Sequence, residues 1–525
     1  MIKNSLVCRF FLWLVSLAKA VIHVFSQSAV YRAVCSVVDF FADAYGKSRV
    51  HSLFTKKDIE ENSHSSLFYG AVGFFTRLAE KIAAFFLVNT DKMKHSSLSS
   101  RFLSGAGKGS VVVKAASPAW NFAFSFTGAF SLLMALVFVV PHAMWNNTYA
   151  LLISLLMAFV VLCAASCGRK YVQIAPDKLW LSFIFFAFST VLSTLLSKDV
   201  SDSIRVLAFF LTSFVMCLSV SSILCSKAAL RRFLLVMYLV TIVTSIVAVY
   251  QGVVGVEADA SLTDLSVNAD MPGRVYSTLG NPNNFAEFLV LFVPFSFVFA
   301  IGIKNKALRA FSVCLLALPM AALLLTYSRS GWIAFAVAAV VFVVLYDRRL
   351  IPALIIIGLC AIPALPESIM NRILTIGNLG DSSSSYRLDI WAGCIDMLKK
   401  WWFTGIGLGP GAFGKIYPPY AYGVSSVAPH SHMQFMEILI ESGFIGLVSY
   451  VWMTFDLIKR SCIASKCSDK YLKNTAIAGA SAMAGIILIG LFEYCWFYPR
   501  VMFAFFICAG IVMAVCKMSK NNVEK

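Results

Sequence analysis

The chain reads as an all-α integral membrane protein that crosses the bilayer about twelve times, and three observations point there. Its residues are 59% hydrophobic and only 13% charged, with a mean hydropathy of +0.80, too apolar for a soluble domain. From Trp120 onward, apolar runs recur near the length of roughly 20 residues that a helix needs to cross a bilayer. The cations fall in alternate connections, which is the bias that orients membrane helices. A formal net charge of +18 could suggest nucleic acid, but cations confined to short loops between apolar runs point to topology and anionic lipid headgroups. No nucleic-acid partner is expected, and membrane lipids are.

Residues 1–118 form a distinct N-terminal region. Its apolar stretches, LVCRFFLWLVSLAKAVIHVF and LFYGAVGFFTRLAEKIAAFFLV, are interrupted by Arg9, Lys19, Arg77, Glu80 and Lys81. Charges at such intervals suit amphipathic helices lying in the interface rather than crossing it. The first stretch lacks the clean apolar centre and small-residue cleavage site of a signal peptide. The expectation is a cytoplasmic, membrane-apposed segment, followed by a polytopic domain over 119–525.

The twelve runs have cores near 121–140, 148–168, 178–196, 204–224, 231–254, 285–303, 308–326, 331–347, 350–366, 436–457, 474–492 and 500–517. Alternate connections carry Arg169 and Lys170, then Lys227, Arg231 and Arg232, then Lys304, Lys306 and Arg309, then Arg348 and Arg349. The last of them holds Lys459, Arg460, Lys466, Lys470 and Lys473, and the tail adds Lys517 and Lys520. Opposing short loops carry few cations: none in HAMWNNT, and Lys198 further on. Both termini are therefore expected in the cytoplasm, with the long loop 367–435 facing out. The 14 cysteines lie mostly in apolar segments with no CxxC and no Cys/His ligand spacing, so they are read as packing residues.

That long loop carries the chemistry. Its stretch from Ser382 to Gly446 is polar, glycine-rich and aromatic, and Trp391, Trp401, Trp402 and Tyr417 argue against disorder. It ends in His430 and His432 just before an apolar run begins. The few cations on the same side are Arg205, Arg274 in GRVYSTLGNPNN, Arg329 in TYSRSGW, Arg372, Arg387, and Arg500 in EYCWFYPR. Charges near membrane depth are costly and tend to be functional. Converging guanidiniums would make an anion site, because arginine binds phosphate oxygens two at a time. The plainer reading makes each an interfacial anchor, most readily Arg205 and Arg372. Arg329, in a tight hairpin where a cation opposes the orientation rule, favours function.

These motifs carry a resemblance. TYSRSGW, the H-S-H followed nine residues after His432 by E-x-G-x-x-G, GRVYSTLGNPN, and the loop with YRLDIW and FTGIGLGPGAF together resemble the O-antigen ligase and polymerase family, over roughly Arg274 to Arg500. The resemblance implies a helical bundle similar to the GT-C glycosyltransferases, with its active site on the outer face of the bacterial cytoplasmic membrane and its catalytic loop at 367–435. It implies transfer of a glycan from an undecaprenyl-diphosphate-linked donor to a glycan or glycolipid acceptor, with no cofactor and no metal. Carried onto this chain, catalytic roles fall to His432, Arg329 and Arg274. Substrate-binding roles fall to His430, Arg387, Tyr327, Ser328, Trp332, Asn281 and Arg500. This chain has His432-Met433 where the family commonly shows H-N.

The residues support the same chemistry independently. A glycosyl diphosphate already has a good leaving group, so the protein must stabilise the departing charge and take a proton from the attacking hydroxyl. Arginine can do the first and histidine the second. Direct displacement would invert the anomeric carbon. The pair in H-x-H could also hold a metal, since i and i+2 share a face on an extended segment, but no third ligand stands nearby. Asp381, Asp389, Asp396 and Glu437 could each orient a histidine, and spacing does not choose among them. Glu441 is read as a helix-terminus or packing residue. Gly405, Gly407, Gly409 and Gly411 are read as turn residues rather than a phosphate cradle, for want of a strand–loop–helix setting. A flippase or transporter of lipid-linked oligosaccharide is the alternative class. It would be expected to show internal repeats and charges within spans, and neither is evident.

Overall fold

The computed structural model describes residues 122–521, apart from 124, 167–171, 173–178, 257–272, 377–381 and 424. The N-terminal region expected over 1–118 lies outside the described residues. Among those described, regular structure is entirely helical.

Each apolar run forms a helix, and most begin at a polar cap that accepts an otherwise unpaired N–H. The first is α1 (Phe126–Val139), capped by Ser125, followed by α2 (Asn147–Ser166) and α3 (Leu179–Leu195). Next come α4 (Val200–Ile223) behind Asp199 and α5 (Lys227–Val254) behind Ser226. The helix α6 (Pro282–Ile301) starts at Asn281 with proline in its first turn. The run expected near 308–326 divides into α7 (Lys306–Cys314) and α8 (Ala317–Leu325), and α9 (Arg329–Asp347) follows behind Ser328. The remaining apolar runs form α10 (Ile351–Ala361) and, past the long loop, three further helices named below. Large apolar side chains such as Leu155, Phe188, Ile246 and Phe455 lie exposed around the flanks, as expected where lipid is the solvent.

The ninth run is the irregular one. α9 rises about 28 Å over its 19 residues. The returning run has an 11-residue helix, a 3-10 turn at Ile362–Ala364 and two more residues, which cover roughly the same height. Its arrival is fixed by the Tyr327 hydroxyl, 2.9 Å from Ser368 Oγ, so Ser368 ends level with the start of α9.

The long loop folds as a layer over one end of the bundle. It contains α11 (Glu367–Leu374), α12 (Ser382–Trp401) and α13 (Pro410–Ile416). At 20 residues α12 is long enough to cross, but Arg387, Asp389, Asp396, Lys399 and Lys400 keep it outside the apolar layer. Its Ile390, Cys394 and Met397 fall on one face at helical spacing. They pack with Ile406, Phe413 and Tyr417 into a small second core. The bundle then closes with α14 (Gln434–Ala464), α15 (Lys470–Ile489) and α16 (Pro499–Asn521). Among the described residues, eight helical segments are long and apolar enough to cross a membrane, and α1, α3, α9 and α10 complete the twelve runs. The chain is a multi-pass helical membrane protein.

Contacts sort the two ends. At one, Lys227 pairs with Asp469 at 2.7 Å and Arg231 donates to the Gly302 carbonyl at 3.2 Å. At the other, Thr278 donates to the Phe138 carbonyl at 2.5 Å and Lys198 N–H to the Ile406 carbonyl at 2.9 Å. The second end holds the arginines and histidines.

Candidate functional site

The histidines sit in a tight turn directly before α14. Ser431, between them, is fully buried and gripped on both sides of its peptide. Its N–H donates to Glu437 Oε2 at 2.6 Å, and its carbonyl accepts from Trp391 Nε1 at 2.9 Å. Asp381 lies outside the described residues, and of the described acids that spacing could not separate, Glu437 is the one that holds this turn. The grip sets His432 in the left-handed region at φ 53°, rare for a residue with a side chain. The two imidazole rings lie 4.2 Å apart.

Their environments differ. His430 is 5% exposed, packed on Phe497 and Tyr494, and its Nδ1 accepts the His432 backbone N–H at 3.1 Å. Burial, with His432 adding to it, pushes its pKa down to about 3, so it stays neutral. The His432 side chain is more open and places Nδ1 3.4 Å from Glu493 Oε2. With Nδ1–H directed at that carboxylate, Nε2 keeps its lone pair for a reacting proton.

Glu493 is the hub. One oxygen receives both Arg387 Nη2 and, at 3.0 Å, Asn283 Nδ2, and the other faces His432. Burial would raise this carboxyl, but Arg387 and then the histidines outweigh it and hold its pKa at about 2. Asn283 Oδ1 in turn accepts from Arg274 Nη2 at 2.6 Å, and Arg274 Nε donates to the Thr326 carbonyl at 2.8 Å. Burial, with Arg372, Arg387 and Arg329 repelling and Glu493 offsetting, lowers Arg274 to about 9, still protonated at neutral pH. Three arginines from three other segments therefore act on Arg274 at this end of the bundle.

Arg329 opens α9 and donates to the Thr375 carbonyl at 3.0 Å. Its neighbours shape the turn that presents it. Tyr327 is buried at φ 51°, Ser328 caps α9, and Trp332 Nε1 donates to the Leu323 carbonyl at 2.9 Å. Asn281 caps α6, two residues before Asn283. Arg500 stands apart from this network. Its guanidinium donates to the Thr278 carbonyl at 2.6 Å and the Val140 carbonyl at 2.9 Å, and stacks 3.9 Å over Trp145. It ties the loop carrying Arg274 to the α1–α2 connection.

The glycine loop serves the frame. The N–H groups of Gly405, Gly407, Gly409 and Gly411 are donated to the Trp401 carbonyl, the Glu441 carbonyl, Glu441 Oε1 and Asp202 Oδ2. None of these four is left to cradle a phosphate.

Sequence reasoning did not single out Glu493 or Asn283. The signal for Glu493 was an acid in an apolar stretch on the side where the cations gather. Asn283 could have been sought as the second of the three asparagines in GNPNN.

Residues 313–451 match the family model described as O-antigen ligase, a span that includes Arg329, Arg372, Arg387, His430 and His432. No curated protein matches the chain. Over residues 313–451, the chain is thus similar to the O-antigen ligase family.

Proposed function

We propose that this protein transfers a glycan from an undecaprenyl-diphosphate-linked donor to a hydroxyl of a glycan or glycolipid acceptor, at the outer face of the cytoplasmic membrane. The observation that supports it most is the grouping of Arg329, Arg372 and Arg387 around Arg274 at one end of the bundle, with Arg387 joined to His432 through Glu493. Guanidiniums there bind the diphosphate and stabilise the charge it gains on leaving. His432 Nε2 takes the acceptor proton as the acceptor oxygen bonds to the anomeric carbon. The bond from that carbon to the phosphate oxygen breaks, its electron pair stays on the diphosphate, and the anomeric carbon inverts. Glu493 holds the ring by Nδ1 and steadies the imidazolium that forms. The arginines and histidine supply these steps without a metal, and the basic connections support a cytoplasmic position for the opposite end, with both termini.

Purified protein in proteoliposomes, given a radiolabelled lipid-linked oligosaccharide and candidate acceptors, tests the reading. Extended glycan or glycolipid product with release of prenyl diphosphate is expected. Movement of intact donor across the vesicle membrane without transfer would make it a flippase instead.

A further inference from the structure

Two neighbouring helices carry apolar stripes that stop at the same level. On α3, Ile184, Phe188, Val191 and Leu195 are exposed at steps of four, three and four residues. On α14, Phe444, Val448, Val451 and Phe455 are exposed at the same steps. Such spacing puts each set on one helix face about 16 Å long, and in a membrane helix an exposed apolar face meets lipid. The two helices lie side by side, with Ser449 Oγ 3.3 Å from Ser189 Oγ and Ser193 Oγ donating to the Glu441 carbonyl at 2.6 Å. Ahead of Gly443, no residue of α14 is exposed. The lipid-facing surface therefore ends at Leu195 and at Phe444, well short of the first residue of α14.

The edge where both stripes end is aromatic and basic. Trp402 and Phe403 are exposed there, and the Trp402 ring packs 5.5 Å from Phe403 and 5.9 Å from Phe444, at the head of the α14 stripe. The Phe444 N–H donates to the Phe403 carbonyl at 3.3 Å, and the Lys198 N–H to the Ile406 carbonyl at 2.9 Å. The loop 402–406, the start of the α14 stripe and the α3–α4 turn thus share one level. Lys198 and Lys400 hold their ammonium groups over the Trp401 ring, 4.8 and 5.1 Å from its centre. Nearby acids are already paired, Asp396 with Lys399, Asp199 with Lys415 and Asp202 with Arg205, so Lys198 and Lys400 make the patch positive.

We propose that Trp402, Phe403 and Phe444, with Lys198 and Lys400, form a surface that seats in the bilayer interface and takes anionic phospholipid headgroups, on the side of the membrane that holds the histidines. Tryptophan suits headgroup depth because its ring is apolar and its N–H polar, and lysines at that level meet lipid phosphates. A second copy of the chain is a poorer occupant, because the surplus lysines would face like charge across a two-fold contact. The surface sets the height of the whole layer. Residues 434–442 of α14, with the histidines before them, then stand above the apolar core of the bilayer and inside protein. None of this depends on the glycan-transfer reading.

The test uses the full chain without its native cysteines, in vesicles of phosphatidylethanolamine and phosphatidylglycerol. A bimane label is placed on Phe403→Cys, with Val448→Cys as the lipid reference and Val427→Cys, exposed on the loop layer, as the water reference. Either phospholipid is then supplied in brominated form as the quencher. The labels at 403 and 448 should lose fluorescence and the one at 427 should keep it. At 403, brominated phosphatidylglycerol should quench more than brominated phosphatidylethanolamine, and the preference should fall to parity when Lys198→Gln and Lys400→Gln are combined. Ile445→Cys, on the same edge, gives a second reading that does not rely on the Phe403 variant folding well. Fluorescence kept at both 403 and 445 would overturn the surface, and so would disulfide crosslinking of 403 between copies. Equal quenching by the two lipids, or a preference that survives the double lysine variant, would overturn the headgroup site.

Discussion

Glu493 shows how one residue organises the site. A buried carboxylate is costly unless it is paired, and this one joins Arg387, Asn283 and His432. Glu493→Gln keeps an oxygen that can accept but loses the charge that favours imidazolium. Transfer should fall at least about tenfold in kcat with KM little changed, as when a carboxylate that orients a histidine is neutralised. A rise in KM with kcat little changed would make Glu493 a substrate contact instead. His430 carries a pH dependence of its own. Its pKa is lowered from 6.5 to about 3, so the folded protein binds fewer protons than the unfolded chain between those values. The stability that comes from keeping it neutral is complete above pH 6.5 and lost as pH falls toward 3. Glu493, lowered from 4.5 to about 2, adds its own loss only below 4.5. Between pH 6.5 and 4.5 the melting temperature of His430→Asn should therefore fall less steeply than that of the parent. Parallel slopes would remove His430 as the cause.

At the scale of an element, α14 is bent where the glycine loop meets it. Gly443 has φ 65° and ψ −167° inside the helix, and a Cβ there would lie 2.1 Å from the Phe403 carbonyl oxygen. The bend frees the Glu441 carbonyl for Ser193 at 2.6 Å and Gly407 at 3.1 Å, while the Glu441 side chain holds Gly409 and Tyr494. The E-x-G part of the motif is thus a joint that locks the loop 402–411 to α14, one helical stretch below the histidines. Gly443→Ala should lose more than about 2 kcal/mol from backbone strain and the clash together. Gly414→Ala, where a Cβ meets nothing within 4 Å, should be neutral. Melting temperatures of the two variants in detergent check this, and similar values would mean the joint can relax.

At the scale of the whole molecule, the placement of every site residue depends on which end faces out. In a background without native cysteines, Val427→Cys should react with an impermeant thiol reagent added outside intact cells, and Ser468→Cys should not. The reverse pattern would invert the orientation. The crossings were legible in the sequence because apolar run length and the helical rise are tied directly. Arg274, Arg329, Arg387 and the histidines could be picked out as candidates because charges on the sparsely basic side stand out. Glu493 and Asn283 were not, because their importance comes from α6 and the α15–α16 connection meeting beneath α12, which no local pattern encodes. Nor did spacing show that Arg500 serves as a tie between loops, since an arginine held by carbonyls looks the same in sequence as one aimed at a phosphate. The central claim is a division of labour, with arginines holding the diphosphate and His432 moving the proton. It is tested most directly by measuring donor binding and glycan transfer side by side for two variants in proteoliposomes. His432→Ala should lower transfer by about 10²–10⁴-fold, the usual worth of a general base, with donor binding nearly unchanged. Arg329→Ala should lose both. Transfer by His432→Ala close to the parent rate, or loss of donor binding in that variant, would contradict the division.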